Sequence, residues 1–315
     1  MIDLLVTAPM PPAILDRLEA RFAVHRLWQA ADRAAMLRDI GPRIRGMATS
    51  ALGGFIGSAV IDALPALEII ANFGVGYDNI DVEAALAHRI MVTNSPQVLT
   101  EETADLTLGL LLATLRQIPQ AERHLREGRW PQGAFPLSPS LRGRRVGILG
   151  LGDIGKAVAR RLEGFAIEIA YCGRQRQDSV PYAYYPTPLA LAQAVDTLVI
   201  LTPGGAATRH LVGADVLAAL GPQGVVINVA RGSVMDTQAL IAALQSGALL
   251  AAGLDVYDDE PNVPPALLDL PQVVCLPHIG SASVLTRLAM GGLMADNLES
   301  WFDKGVPVTP IAEAR

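Results

Sequence analysis

Residues 145–162 read RVGILGLGDIGKAVARRL. An apolar strand-like run leads into Gly150, Gly152 and Gly155, and an amphipathic helical pattern follows. Glycines at G-x-G-x-x-G spacing are weak evidence alone, since a tight strand-to-helix turn uses them without any ligand. Placed after a strand and opening a helix, they have the context that a dinucleotide site requires. The first glycine permits the turn, the second lets the backbone approach a pyrophosphate, and the third lets helix and strand pack closely. The helix N-terminus then offers unpaired N–H groups to the phosphates.

The next strand ends in AYCGRQR, residues 170–176. An acid is often found here, where it grips the ribose of NAD. This chain has Gly173, Arg174 and Arg176 instead. Loop arginines are commonly just solvated charge. Here the missing acid and the added cations coincide at the discriminating position. Gly173 removes bulk and charge, and the two guanidiniums suit a 2′-phosphate. The reading is NADPH in preference to NADH.

Strands and helices alternate on both sides of this unit. IDLLVTA, AVHRL, IRGMATSA, LEIIANF and IMVTN read as strands separated by helices in the first hundred residues. From Arg145 on, RVGILG, IEIAYCG, TLVILT, GVVINVA, LAAGLDV and QVVCLPH continue the pattern. Strict alternation implies parallel sheets wrapped on both faces. A long, largely apolar helix starts near Thr100, and residues 126–143, rich in Pro and Gly, read as a surface connection. A helix from about Ser283 to Trp301 is expected to return to the first domain. The expected organisation is α/β with two doubly wound parallel-sheet domains. A Rossmann dinucleotide-binding domain, 99–283, is inserted in a flavodoxin-like substrate-binding domain, 1–98 plus 284–315.

The bulk composition agrees. The 315 residues are 51% hydrophobic and 18% charged with a net charge of −6, enough for two cored domains and unsuited to a general nucleic-acid surface. The start of the chain lacks the pattern of a signal peptide, and no apolar run is long enough to span a bilayer. A cytoplasmic protein with neither nucleic-acid nor membrane partner is expected. Cys172 and Cys275 sit in apolar strands and read as reduced thiols, although their count alone leaves a disulfide open. No His/Cys pair has metal-ligand spacing, so no metal is expected.

Three stretches end strands of the second domain: NVARGSVMD, AAGLDVYDDEP and VVCLPHIGSAS. Ligands bind at such strand ends in open α/β sheets. The stretches carry Arg231, Asp255, Glu260 and His278. A cation, an acid and a histidine at one crevice suit reduction of a 2-keto acid. The arginine holds the carboxylate or polarises the keto oxygen, the histidine donates a proton, and the carboxylate keeps the histidine charged and oriented. Each residue also has an ordinary structural reading, as an ion pair, a turn starter or a strand-end cap.

Together, NFGVGYDNID, GILGLGDIG, INVARGSVMD, AAGLDVYDDEP and LPHIGSAS resemble the D-isomer-specific 2-hydroxyacid dehydrogenase family, in order and over almost the whole chain. The resemblance implies that Arg231, Glu260 and His278 are the catalytic set. It also implies that the Val75 and Gly76 amides hold the substrate carboxylate, with Arg231 and His278 on the substrate too. It implicates Asp153 and Ile154 at the pyrophosphate, and Thr202 near the adenosine. Val229, Arg231, Asp255, His278 and Gly280 are implied on the nicotinamide side, with Thr103 a further cofactor contact. YCGRQRQ resembles the NADPH-dependent glyoxylate/hydroxypyruvate reductases and the plant-type hydroxyphenylpyruvate reductases. The expected activity is therefore reduction of glyoxylate or hydroxypyruvate to a D-2-hydroxy acid, by a homodimer joined through the helix near 101–118. Two alternatives stay open: a hydroxyphenylpyruvate reductase, and a non-enzymatic binding protein that kept the fold.

Overall fold

The computed structural model describes residues 1–314. The chain forms two compact units: Met1–Leu99 together with the residues from Ser281 on, and Thr100–Gly280. In the first, β1 (Ile2–Val6), α1 (Pro12–Glu19), β2 (Phe22–Arg26), α2 (Arg33–Ile40), β3 (Ile44–Thr49), α3 (Ser58–Asp62), β4 (Ile69–Asn72), α4 (Val82–Ala87) and β5 (Met91–Thr93) alternate. α1 begins at Pro12, where a missing N–H costs no helical hydrogen bond. α2 and α4 begin after Asp32 and Asp81, whose carboxylates accept the Ala35 and Ala84 amides at 2.9 and 3.0 Å. Each cap is worth about 1 kcal/mol. The strands lie in the order β2-β1-β3-β4-β5, all parallel, which is the flavodoxin-like arrangement.

The second unit opens with α5 (Thr100–Leu115) and α6 (Ile118–Arg126). The single long helix expected to reach residue 118 stops at Leu115. Gln117 turns left-handed at φ 51°, and Pro119, at the first turn of α6, cannot occupy a helix interior. Residues 127–143 are mostly exposed and irregular. There follow β6 (Arg145–Leu149), α7 (Asp153–Glu163), β7 (Glu168–Cys172), β8 (Ala183–Tyr185), α8 (Pro188–Ala194), β9 (Thr197–Ile200), α9 (Ala214–Leu220), β10 (Val225–Asn228), α10 (Thr237–Gln245), β11 (Ala251–Leu254), α11 (Pro265–Leu268) and β12 (Val273–Cys275). Strand β8 has no counterpart in the sequence reading. It is a three-residue edge strand whose pairing with β7, not its own pattern, defines it.

This sheet runs β12-β11-β10-β9-β6-β7-β8, all parallel. It is the Rossmann order with one strand, β12, added beside β11. The central strands β9, β10 and β11 are buried at every residue, because helices cover both faces. On one face Leu198, Val226 and Leu254 pack with Leu191 of α8, Leu217 of α9 and Leu240 of α10. On the other, Val199, Val225 and Ile227 pack with Leu110 and Leu111 of α5 and Val158 and Leu162 of α7. Each fully buried aliphatic side chain contributes about 1.5–3 kcal/mol. Cys172 and Cys275 are free thiols. Helix α12 (Val284–Lys304), capped by Ser283, rejoins the first unit, where Arg17 of α1 pairs with Asp296 and Glu299. Among the described residues, no helix is long and apolar enough to cross a membrane.

Candidate active site

Strand order in the second sheet reverses between β6 and β9, and at such a switch point the strand ends leave a crevice. Gly150 leaves β6 at φ +100°, and a Cβ on it would stand 2.8 Å from the Thr202 amide nitrogen. A Cβ on Gly155 would meet the Gly150 carbonyl oxygen at 2.3 Å. Both positions therefore exclude side chains, and Thr202 lies directly beside the glycine turn. Gly152 differs: the space around it is open. It caps α7 without a side-chain hydrogen bond, and Gly152 and Asp153 are exposed while Ile154 packs inward. A bare helix N-terminus beside an open glycine fits a pyrophosphate.

The loop after β7 is open as well. The nearest atom to a Cβ on Gly173 is the Gln175 carbonyl oxygen, 3.9 Å away. Arg174 is exposed, and Arg176 pairs with Asp178 at 3.4 Å. Gln177, which carried no signal in the sequence, anchors this loop to the glycine turn. Its side-chain amide donates to the Leu151 carbonyl at 2.8 Å, and its backbone N–H donates to the Tyr171 hydroxyl at 2.6 Å. The cations thus have an anchored base and exposed tips.

Arg231, Asp255, Glu260 and His278 follow the adjacent strands β10, β11 and β12. Gly232 lets the Arg231 loop lie against the backbone of Tyr257 and Asp258, since a Cβ there would fall 1.9 Å from the Tyr257 carbonyl carbon. Asn228 holds the same loop, donating to the Arg231 carbonyl at 3.0 Å and accepting the Ala230 amide at 3.1 Å. Glu260 divides its oxygens: Oε2 lies 2.6 Å from Nδ1 of His278, and Oε1 accepts the Tyr257 amide at 3.0 Å. Burial pushes Glu260 upward, but the His278 hydrogen bond and charge, the Tyr257 amide and the Arg231 charge together hold it below its ordinary value. The carboxylate therefore stays ionised beside the imidazole.

His278 has φ +55°, a left-handed conformation that costs a non-glycine residue about 1–3 kcal/mol. Asp255 supplies the restraint. Its two oxygens accept the Ile279 and Gly280 amides, each at 2.7 Å. Asp255 is itself buried, and burial raises its carboxyl above the ordinary value against the pull of those amides. Gly280 sits between Asp255 and Thr103 of α5, with contacts of 3.2 and 3.6 Å to a Cβ built on it. Val229 is buried at the end of β10. The second unit thus gathers the dinucleotide loop, a cation, a bound carboxylate–imidazole pair and a tied loop. With Nδ1 committed to Glu260, Nε2 is the nitrogen left to exchange a proton with a ligand. Val75 and Gly76 belong to the first unit, in the loop after β4.

A family model, D-isomer specific 2-hydroxyacid dehydrogenase, NAD binding domain, matches residues 108–280. The chain belongs to the D-isomer-specific 2-hydroxyacid dehydrogenase family. Among its relatives, a glyoxylate/hydroxypyruvate reductase of Arabidopsis thaliana is 43% identical, covering 98% of this chain and 99% of the relative. A hydroxyphenylpyruvate reductase of Plectranthus scutellarioides is 40% identical over the same shares. Among solved structures, an NADPH-dependent glyoxylate/hydroxypyruvate reductase of Sinorhizobium meliloti, in complex with NADP and malonate, is 53% identical. It matches with a TM-score of 0.94 over 99% of this chain and 97% of that one. Within this family member, the Tyr257 amide was invisible to sequence reading, because a backbone N–H has no residue signature.

Proposed function

We propose that this protein reduces small 2-keto acids, glyoxylate and hydroxypyruvate first, to D-2-hydroxy acids with NADPH. The observation that carries the reading is the 2.6 Å pair between Glu260 and His278, beside Arg231 and on the same sheet as the glycine loop. Arg231 holds the carboxylate and polarises the keto oxygen. His278 gives its Nε2 proton to that oxygen as C2 becomes a carbinol, and Glu260 stabilises the imidazolium beforehand. When bound, NADPH supplies the hydride that C2 receives. Gly150, Gly152, Asp153, Ile154 and Gly155 would hold its pyrophosphate, and Gly173, Arg174 and Arg176 its 2′-phosphate. Thr202 would adjoin the adenosine, and Thr103, Val229, Arg231, Asp255, His278 and Gly280 would line the nicotinamide. The Val75 and Gly76 amides take the substrate carboxylate.

The S. meliloti relative supports this reading, since it was solved with both NADP and a carboxylate ligand. The P. scutellarioides relative favours hydroxyphenylpyruvate as a second substrate to assay. The working form is a homodimer. Ile118, Leu125, Trp130 and Leu137 are each more than half exposed in the stretch that follows α5, and a second copy would cover them. The decisive experiment follows NADPH absorbance with glyoxylate, hydroxypyruvate and hydroxyphenylpyruvate at millimolar concentration. Turnover, with the highest kcat/KM on one of the two small acids, supports the reading. No turnover on any of them would leave a binding protein.

A further inference from the structure

The loop after β4 has an unusual hydrogen-bond economy. Two asparagine side chains occupy all three of its carbonyls. Asn72, buried at the end of β4, donates both amide hydrogens of its side chain, to the Gly74 oxygen at 3.2 Å and the Gly76 oxygen at 2.8 Å. Asn94, just past β5, donates to the Val75 oxygen at 2.8 Å. The Ser95 amide adds a second bond to the Gly74 oxygen at 2.9 Å. Among the described residues, the N–H groups of Val75 and Gly76 have no acceptor.

A peptide group that points its oxygen one way points its N–H the other. Fixing the Gly74 and Val75 oxygens against the asparagines therefore aims the Val75 and Gly76 N–H groups away from them. Successive outward N–H groups form a concavity for an anion. Asn94 is placed in turn by the C-terminal strap: the Thr309 hydroxyl donates to its carbonyl at 2.6 Å. Asn297, fully buried in α12, accepts the Val308 and Thr309 amides at 2.9 and 2.8 Å. The nest is thus preset by fixed side chains before any ligand arrives, which removes ordering cost from binding.

We infer that Asn72 and Asn94 are positioning residues that preset the Val75–Gly76 amides as a carboxylate receptor, and so set this enzyme's preference for charged keto acids over their neutral counterparts. The inference rests on the reading that these amides take the substrate carboxylate. Neither asparagine touches the substrate; each acts through the loop carbonyl it holds.

The test compares kcat/KM for glyoxylate and for ethyl glyoxylate, with NADPH saturating, in wild type, Asn72→Asp and Asn94→Ala. Asn72→Asp replaces two donors by an oxygen that repels both loop carbonyls. Asn94→Ala, at a half-buried position, perturbs packing least. Wild type should favour the acid over the ester. Each variant should lose that preference by about tenfold or more, the worth of a hydrogen bond to a charged group. The loss should fall on KM for the acid, while kcat and the ester's kcat/KM hold. An Asn94→Ala enzyme that keeps the wild-type ratio, or that loses activity on acid and ester alike, overturns the inference. A wild type that does not distinguish acid from ester refutes instead the assignment of the carboxylate to this loop.

Discussion

Nδ1 of His278 lies 2.6 Å from Oε2 of Glu260, and the other oxygen of that carboxylate is occupied by the Tyr257 amide. The imidazole is therefore held by one nitrogen and presents the other. His278→Ala should lose kcat by about 10²–10⁴-fold, the usual worth of a general acid, while NADPH affinity changes little. Steady-state kinetics and a cofactor titration separate the two. A near-normal kcat would remove His278 from proton transfer.

Glu260 gives a pH prediction with a definite sign. Its carboxyl is held below the ordinary value of 4.5 in the folded protein. A depressed carboxyl contributes stability above its unfolded value and loses it as pH falls through the folded one. The Tm gap between wild type and Glu260→Gln should therefore be widest above about pH 4.5 and close at more acid pH. The same substitution removes the anion that favours a charged imidazole. The alkaline limb of kcat/KM for reduction should move to lower pH. An unmoved limb would show that the pair is not coupled in catalysis.

Arg174 is exposed and Gly173 has open space around it. Arg174→Ala should weaken NADPH by about tenfold, the lower end for a charged hydrogen bond because solvent screens it, and leave NADH nearly unchanged. Arg176→Ala should act the same way more weakly, since Asp178 already engages that side chain. Gly173→Asp should improve NADH and harm NADPH, as it offers the ribose an acceptor and repels the phosphate. Ratios of kcat/KM for the two cofactors decide it. Equal losses on both would mean the arginines are only surface charge.

The exposed apolar residues after α5 predict assembly. Light scattering at micromolar concentration should return twice the mass of the chain, and a monomer mass would reject the dimer.

Much of this protein is determined locally and is readable without coordinates. The RVGILGLGDIG stretch specifies its turn because only glycine meets the close approaches at 150 and 155, and a buried parallel strand must be apolar on both faces. Arg231, Glu260 and His278 stand out in the sequence as a cation, an acid and an imidazole at the ends of alternating strands, and the structure pairs the last two. Pro119 stands in plain view too, yet the apolar periodic run before it masks the break between α5 and α6. Other features belong to the tertiary structure alone. Strand β8 exists through its pairing with β7. Gln177 reaches Leu151, Asp255 reaches Ile279 and Gly280, and Asn94 reaches Val75, across 26, 24 to 25 and 19 residues of chain. Their partners are backbone N–H and C=O groups, which every residue type but proline carries alike. Sequence therefore marks which side chains can do chemistry, and only folding decides which anonymous peptide groups aim them.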